Sequence, residues 1–187
     1  MNRLLEYKEF FKTGWWHVHT NFTDGENTVM EYCTYAVEKG IPLIAFTEHV
    51  RKNLDYSFDD FLKEVEVARA RYPKLIILAG CEAKITKKGL DVREAVKAKC
   101  QMIYGAIHSL DGDYFTMAKE LINSGIDVWA HPLRFAIENN ISVTKKQLIE
   151  LVNLANKKEV LIENYQDSVQ GYDSHSIQSF IKQTKLK

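Results

Sequence analysis

Trp15-Trp16-His17-Val18-His19-Thr20, with Asp24-Gly25 just beyond it, is the stretch that decides the fold. It is a short apolar run that ends in two histidines one residue apart. In a β-strand, residues i and i+2 point to the same face. His17 and His19 therefore aim two imidazoles at one point, which is a metal-site geometry. The run breaks into a polar turn, Asn21-Phe22-Thr23-Asp24-Gly25-Glu26, and this places Asp24 on the loop leaving the strand. The rest of the chain repeats the arrangement: an apolar run, a ligand-type residue at its end, then a helix.

Working outward, residues 1–14 read as a polar-aromatic lead-in. After the first strand, Thr28-Val-Met-Glu31 is a capping box. Met30, Cys33, Ala36 and Val37 follow at helical spacing, and Gly40 is placed to end that helix. Strand two is Pro42-Leu-Ile-Ala-Phe-Thr-Glu-His49. A second helix carries Phe58, Phe61, Leu62, Val65 and Ala68 on one stripe. Strand three spans 74–82 and runs on towards Ile85, and Asp91-Val-Arg-Glu94 opens a short helix. Strand four spans 102–108, and a helix over 113–124 follows. Strand five, Asp127-Val-Trp-Ala-His131, is stopped by Pro132. Thr144-Lys-Lys-Gln147 caps the next helix, and strand six covers 160–165. Six nearly continuous apolar strands alternating with amphipathic helices predict an α/β fold with a parallel sheet covered by helices. No Gly-x-Gly-x-x-Gly follows the first strand, so a dinucleotide-binding sheet has little support. A (β/α) barrel gathers its function at the carboxyl ends of its strands.

The totals set bounds. The chain has 187 residues, 45% hydrophobic and 27% charged, enough for a single domain over 1–187. Lys+Arg and Asp+Glu are both 25, which argues against duplex nucleic acid as a partner. No run of about 18 apolar residues exists, so no membrane span is expected. The charged start is unlike a signal peptide. Cys33, Cys81 and Cys100 lack C-x-x-C spacing and read as buried thiols of a cytoplasmic protein.

Five of the 6 histidines fall at the end of an expected strand, and Glu82 falls at the end of another. The candidate metal ligands are His17, His19, Asp24, His49, Glu82, His108 and His131. Imidazole mixed with carboxylate suits Zn²⁺, Mn²⁺ or Fe²⁺. Alternation turns Cys81 away from the face of Glu82. The set is too large for one ion, so two or three divalent metals are expected, with Glu82 bridging two. Such a cluster binds phosphoryl oxygens and lowers the pKa of a bound water, which makes phosphoester hydrolysis the natural assignment.

The ordered set His17-x-His19, Asp24-Gly25, Thr47-Glu48-His49, Gly80-Cys-Glu82, Gly105-Ala-Ile-His108-Ser109 and Ala130-His131-Pro132 resembles the polymerase and histidinol phosphatase (PHP) superfamily. The resemblance runs in order over residues 15–165. It implies a distorted seven-stranded (β/α) barrel with a trinuclear metal site. It assigns His17, His19 and Glu82 to one metal, Glu82, His108 and His131 to a second, and Asp24 and His49 to a third. Glu163-Asn164 resembles the family's next strand-end motif, read here as supporting the ligands.

The departure lies at the carboxyl end. The family closes with a seventh strand ending in Ser-Asp-x-His. Here Gly171-Tyr172-Asp173-Ser174-His175 looks similar, yet no apolar strand precedes it, and too few residues separate it from strand six for a crossover. The expectation is therefore six βα units with the closing strand missing, the true motif lying past Lys187. The alternative keeps Asp173 and His175 as ligands.

The function expected is a metal-dependent phosphoesterase acting on a small phosphomonoester by a metal-activated water, similar to histidinol phosphatase. His17 and Glu82 hold the reacting centre and Arg134 grips the phosphate, with Arg51 and Lys84 as further candidates for that grip. The alternatives are a nucleotide or single-strand nucleic-acid phosphodiesterase, and a non-catalytic metal-binding module.

Overall fold

The structure is a computed structural model that describes residues 2–163. The expectations for Asp173, His175 and the closing strand lie outside these residues. Among the described residues the strands are β1 (Trp15–Val18), β2 (Leu43–Val50), β3 (Ile76–Thr86), β4 (Gly89–Leu90), β5 (Ile103–Ala106), β6 (Val128–Trp129) and β7 (Leu161–Ile162). The helices are α1 (Val29–Glu38), α2 (Phe58–Arg71), α3 (Glu94–Lys97), α4 (Tyr114–Asn123), α5 (Arg134–Glu138) and α6 (Lys145–Lys157). The lead-in is a 3-10 helix over Arg3–Phe10.

The sheet order is β1-β2-β3-β5-β6-β7, with every neighbour parallel. These six strands curl into an open half-barrel, as the alternation of runs and helices predicts. β4 was not anticipated. It folds back antiparallel on the end of β3, pairing Ile85 with Leu90.

Local signals act where the sequence places them. The Thr28–Glu31 and Thr144–Gln147 capping boxes both form at the starts of α1 and α6. Gly40 follows the last turn of α1 with φ +68°, a left-handed conformation that a side chain would strain.

Two apolar layers enclose the strands. The outer layer packs α1, α2, α4 and α6 on the sheet through residues such as Cys33, Phe61, Leu121 and Leu151. The inner layer fills the half-barrel with Trp16, Leu43, Leu78, Met102, Tyr104 and Val128. Strands buried on both faces need nearly continuous apolar sequence, which explains the run from Leu43 to Phe46.

The lead-in closes the amino end of this interior. Leu4 and Phe11 join the inner layer, and Phe11 meets Trp16 edge-on at 5.3 Å. The Asn2 side-chain amide donates to the carbonyls of Asp127 and Glu159, both at 2.8 Å. The inner apolar layer thus has a floor at one end, which leaves the carboxyl ends of the strands for polar side chains.

Candidate metal centre

Each strand end delivers one or two functional groups. His17 lies on β1 and His19 just beyond it. His49 is near the end of β2, Glu82 is on β3, and His108 and His131 follow β5 and β6. Glu82 is the hub, with its side chain 1% exposed. Its Oε1 lies 2.9 Å from His108 Nε2 and 3.1 Å from His131 Nε2. Its Oε2 lies 2.7 Å from His17 Nε2, 3.3 Å from His19 Nε2 and 3.8 Å from His49 Nδ1. Asp24 completes the group, 3.2 Å from His49 Nε2. The structure brings all seven sequence-assigned residues into one cleft, and Arg134 lines the same cleft.

Two backbone irregularities aim these rings. Between Trp15 and Val18, β1 spends three steps where β2 spends two, from Ile44 to Phe46. This bulge lets Trp16 enter the inner core while the next residue, His17, also faces inward. His131 has φ +29°, which breaks alternation after Ala130 and turns the imidazole towards Glu82. The Asp24 loop is held by close approach. A Cβ on Gly25 would meet the His19 carbonyl oxygen at 2.0 Å, so this position excludes any side chain.

The protons do not suffice for so many converging lone pairs. His17 Nδ1 faces Glu163 Oε1 at 2.8 Å, while its Nε2 faces both Glu82 and, at 3.0 Å, His19 Nε2. Burial pushes His17 down, but the Glu163 and Glu82 carboxylates outweigh it and raise its pKa to about 10. Burial pushes Glu82 up, yet the His17 charge and hydrogen bonds from His108, His131 and His17 hold it well below the usual range. His49 is shifted down, chiefly by burial. His19 Nδ1 is buried without a hydrogen-bond partner, 3.9 Å from Asp24 Oδ1. A buried orphan nitrogen and pairs of facing imidazoles are costly unless a cation accepts their lone pairs. Three overlapping sets each keep their ligand atoms within 4.8 Å: His17-His19-Glu82, His19-Asp24-His49 and His49-Glu82-His108. The donor set fits divalent metal ions of the zinc, manganese or iron type.

A family model for the PHP domain matches residues 16–171. The chain belongs to the PHP domain family. A curated relative, the DNA polymerase/3'-5' exonuclease PolX of Bacillus subtilis (strain 168), is 27% identical over 154 residues. That alignment covers 75% of this chain and 27% of the relative, so the chain spans about a quarter of that protein's length. No helix among the described residues is long and apolar enough to cross a membrane.

In this PHP domain Glu163 supports the cluster directly. Besides facing His17, its Oε2 accepts the backbone N–H of His131 at 2.6 Å. One buried carboxylate thereby orients two histidines from β1 and from the end of β6, strands that do not neighbour each other in the sheet. Arg134 starts α5, and its Nε donates to Glu138 Oε1 at 2.9 Å, so part of its charge is already matched.

Glu48 has a sharper role than the sequence gave reason to expect. It faces away from His49, as alternation requires, and is fully buried. Its Oε1 accepts from Thr20 N at 2.8 Å and its Oε2 from Thr23 Oγ1 at 2.6 Å. Burial raises its pKa, and the two threonine bonds oppose the shift. The signal available was a carboxylate inside an apolar strand, which must be bonded to be tolerated. Glu48 therefore clamps the loop that carries Asp24. Glu48→Ala is expected to cost about 1–3 kcal/mol by urea denaturation. Elemental analysis should show fewer metal equivalents per chain than in the unaltered protein. Unchanged stability and metal content would remove the clamp.

Proposed function

We propose that this PHP domain is a metal-dependent phosphoesterase that hydrolyses small phosphomonoesters, in the manner of a histidinol phosphatase. The observation that carries the reading is Glu82: one buried carboxylate with histidines at hydrogen-bonding distance on both oxygens, at the base of an open cleft. His17, His19, Asp24, His49, Glu82, His108 and His131 would hold two or three divalent ions. Bound there, such ions supply Lewis acidity at a phosphoryl oxygen and acidify water towards neutral pH.

The chain's own residues do the rest. Glu163 accepts a hydrogen bond from the Nδ1–H of His17, which keeps the proton on Nδ1 and leaves Nε2 towards the cluster. His108 and His49 have side chains 37% and 31% exposed, so they are the rings that an entering phosphate meets first. Arg134 stands at the cleft edge, where its guanidinium can orient phosphate oxygens.

The similarity to PolX supports a second reading, a phosphodiesterase acting on nucleic-acid ends. Hydrolysis of p-nitrophenyl phosphate and of its bis-ester separates the two, measured after chelation and again after adding Mn²⁺ or Zn²⁺. The monoester should be cleaved faster, and only with metal. Preference for the bis-ester would favour the second reading. Metal uptake with neither ester cleaved would leave a non-catalytic binding module.

A further inference from the structure

The metal centre opens into two lobes rather than one. Each encloses about 430 Å³, and they share Asp24, His49, Glu82 and His108. The first lobe contains Arg134 with its partner Glu138. The second contains Arg51 and Lys84, over Phe22 and Leu54.

Strand register places these two cations together. Val50 on β2 pairs with Ala83 on β3, and Arg51 and Lys84 are the residues that follow them. Lys84 lies on β3 and Arg51 is the first residue past β2, so the two follow directly on a strand pair spaced about 4.8 Å apart. Lys84 falls on the same face of β3 as Glu82, two residues back and about 7 Å along the strand, and Arg51 lines the same lobe as His49. Neither side chain forms an ion pair or hydrogen bond among the described residues. Asp55 lines this lobe too, but makes no ion pair with either. Like charges side by side repel, and no carboxylate among the described residues forms an ion pair with either. Two adjacent cations match the double charge of a phosphate.

We propose that Arg51 and Lys84 form a second phosphate subsite. On the phosphoesterase reading above, the substrate is then a small molecule carrying a further phosphate, set off from the one hydrolysed towards Arg51 and Lys84. Phe22 and Leu54 give the connecting carbons an apolar wall. The bounded volume of the lobe, about 430 Å³, and the chain's balanced charge favour a small bisphosphate over a long anionic strand.

The test is calorimetric binding to the Mn²⁺-loaded protein of butylphosphonate and butane-1,4-diyl bisphosphonate, neither of which can be hydrolysed. The bisphosphonate should bind at least about tenfold more tightly. In Arg51→Ala/Lys84→Ala that ratio should fall to about one, with the fold checked by circular dichroism. In Lys145→Ala/Lys146→Ala, an equal charge change on α6, the ratio should persist. Equal affinity for the two probes in the unaltered protein would overturn the subsite while leaving the phosphoesterase reading intact. A fall of the same size in the α6 variant would overturn it in favour of a general field. Tight binding of oligothymidylate without a bisphosphonate gain would overturn the small-molecule assignment. No binding of either probe would sink both readings.

Discussion

Glu82→Gln is expected to remove more than one equivalent of bound metal per chain and to slow metal-dependent hydrolysis on the order of 10³-fold. The amide preserves shape and burial, so the loss reports charge and ligation rather than a cavity. Oε1 of Glu82 faces His108 and His131, and Oε2 faces His17, His19 and His49. A carboxylate placed this way serves ions on both sides, and a neutral amide can serve neither well. Several kcal/mol of transition-state stabilisation at such a centre corresponds to the rate loss stated. Elemental analysis of the dialysed variant, beside its rate on p-nitrophenyl phosphate, checks both halves. Loss of one equivalent or fewer would count against Glu82 as a bridge.

The second large effect is on stability and needs no substrate. The chelated protein should lose stability as pH rises from about 6.5 to about 10. The sign follows from His17, whose pKa is raised to about 10 by Glu163 and Glu82 against its burial. A histidine whose folded pKa exceeds its unfolded value stabilises fully below the unfolded value. That contribution fades as pH climbs through the folded one. Glu82, held well below the usual carboxylate range, works in the opposite direction. Its contribution is present above the ordinary carboxylate pKa and is lost on acidification. The metal-free fold should therefore be most stable between these limits. The alkaline loss should be on the order of a few kcal/mol, or roughly a 10 °C fall in Tm. Melting curves in chelator at pH 6, 8 and 10 would show it, and His17→Gln should flatten the slope. An equal slope in that variant would place the titration elsewhere.

Much of the architecture is legible because it depends on near neighbours in sequence. The apolar run at Leu43–Phe46, the capping boxes at Thr28 and Thr144 and the helix stop at Gly40 are each decided within a few residues. The ligand-type residues stand out because strand ends are marked by the same local pattern. Alternation also assigns His49 and Glu48 to opposite faces, and Cys81 away from Glu82, as the packing shows.

Other features depend on contacts across the chain. The bulge in β1 exists only against β2, so no local pattern announces that Trp16 and His17 both turn inward. The twist at His131 is held by the carboxylate of Glu163, 32 residues away. His17 meets that same carboxylate across 146 residues. Arg134 meets Glu138 through the turn of the short helix α5. Arg51 and Lys84 become neighbours only through the register of β2 on β3. The sequence by itself determined which residues end the strands, because periodicity and capping are local. Only the tertiary structure decided which of those residues meet and which charges stay unmatched, because strand register and the curl of the sheet arise from contacts between distant segments.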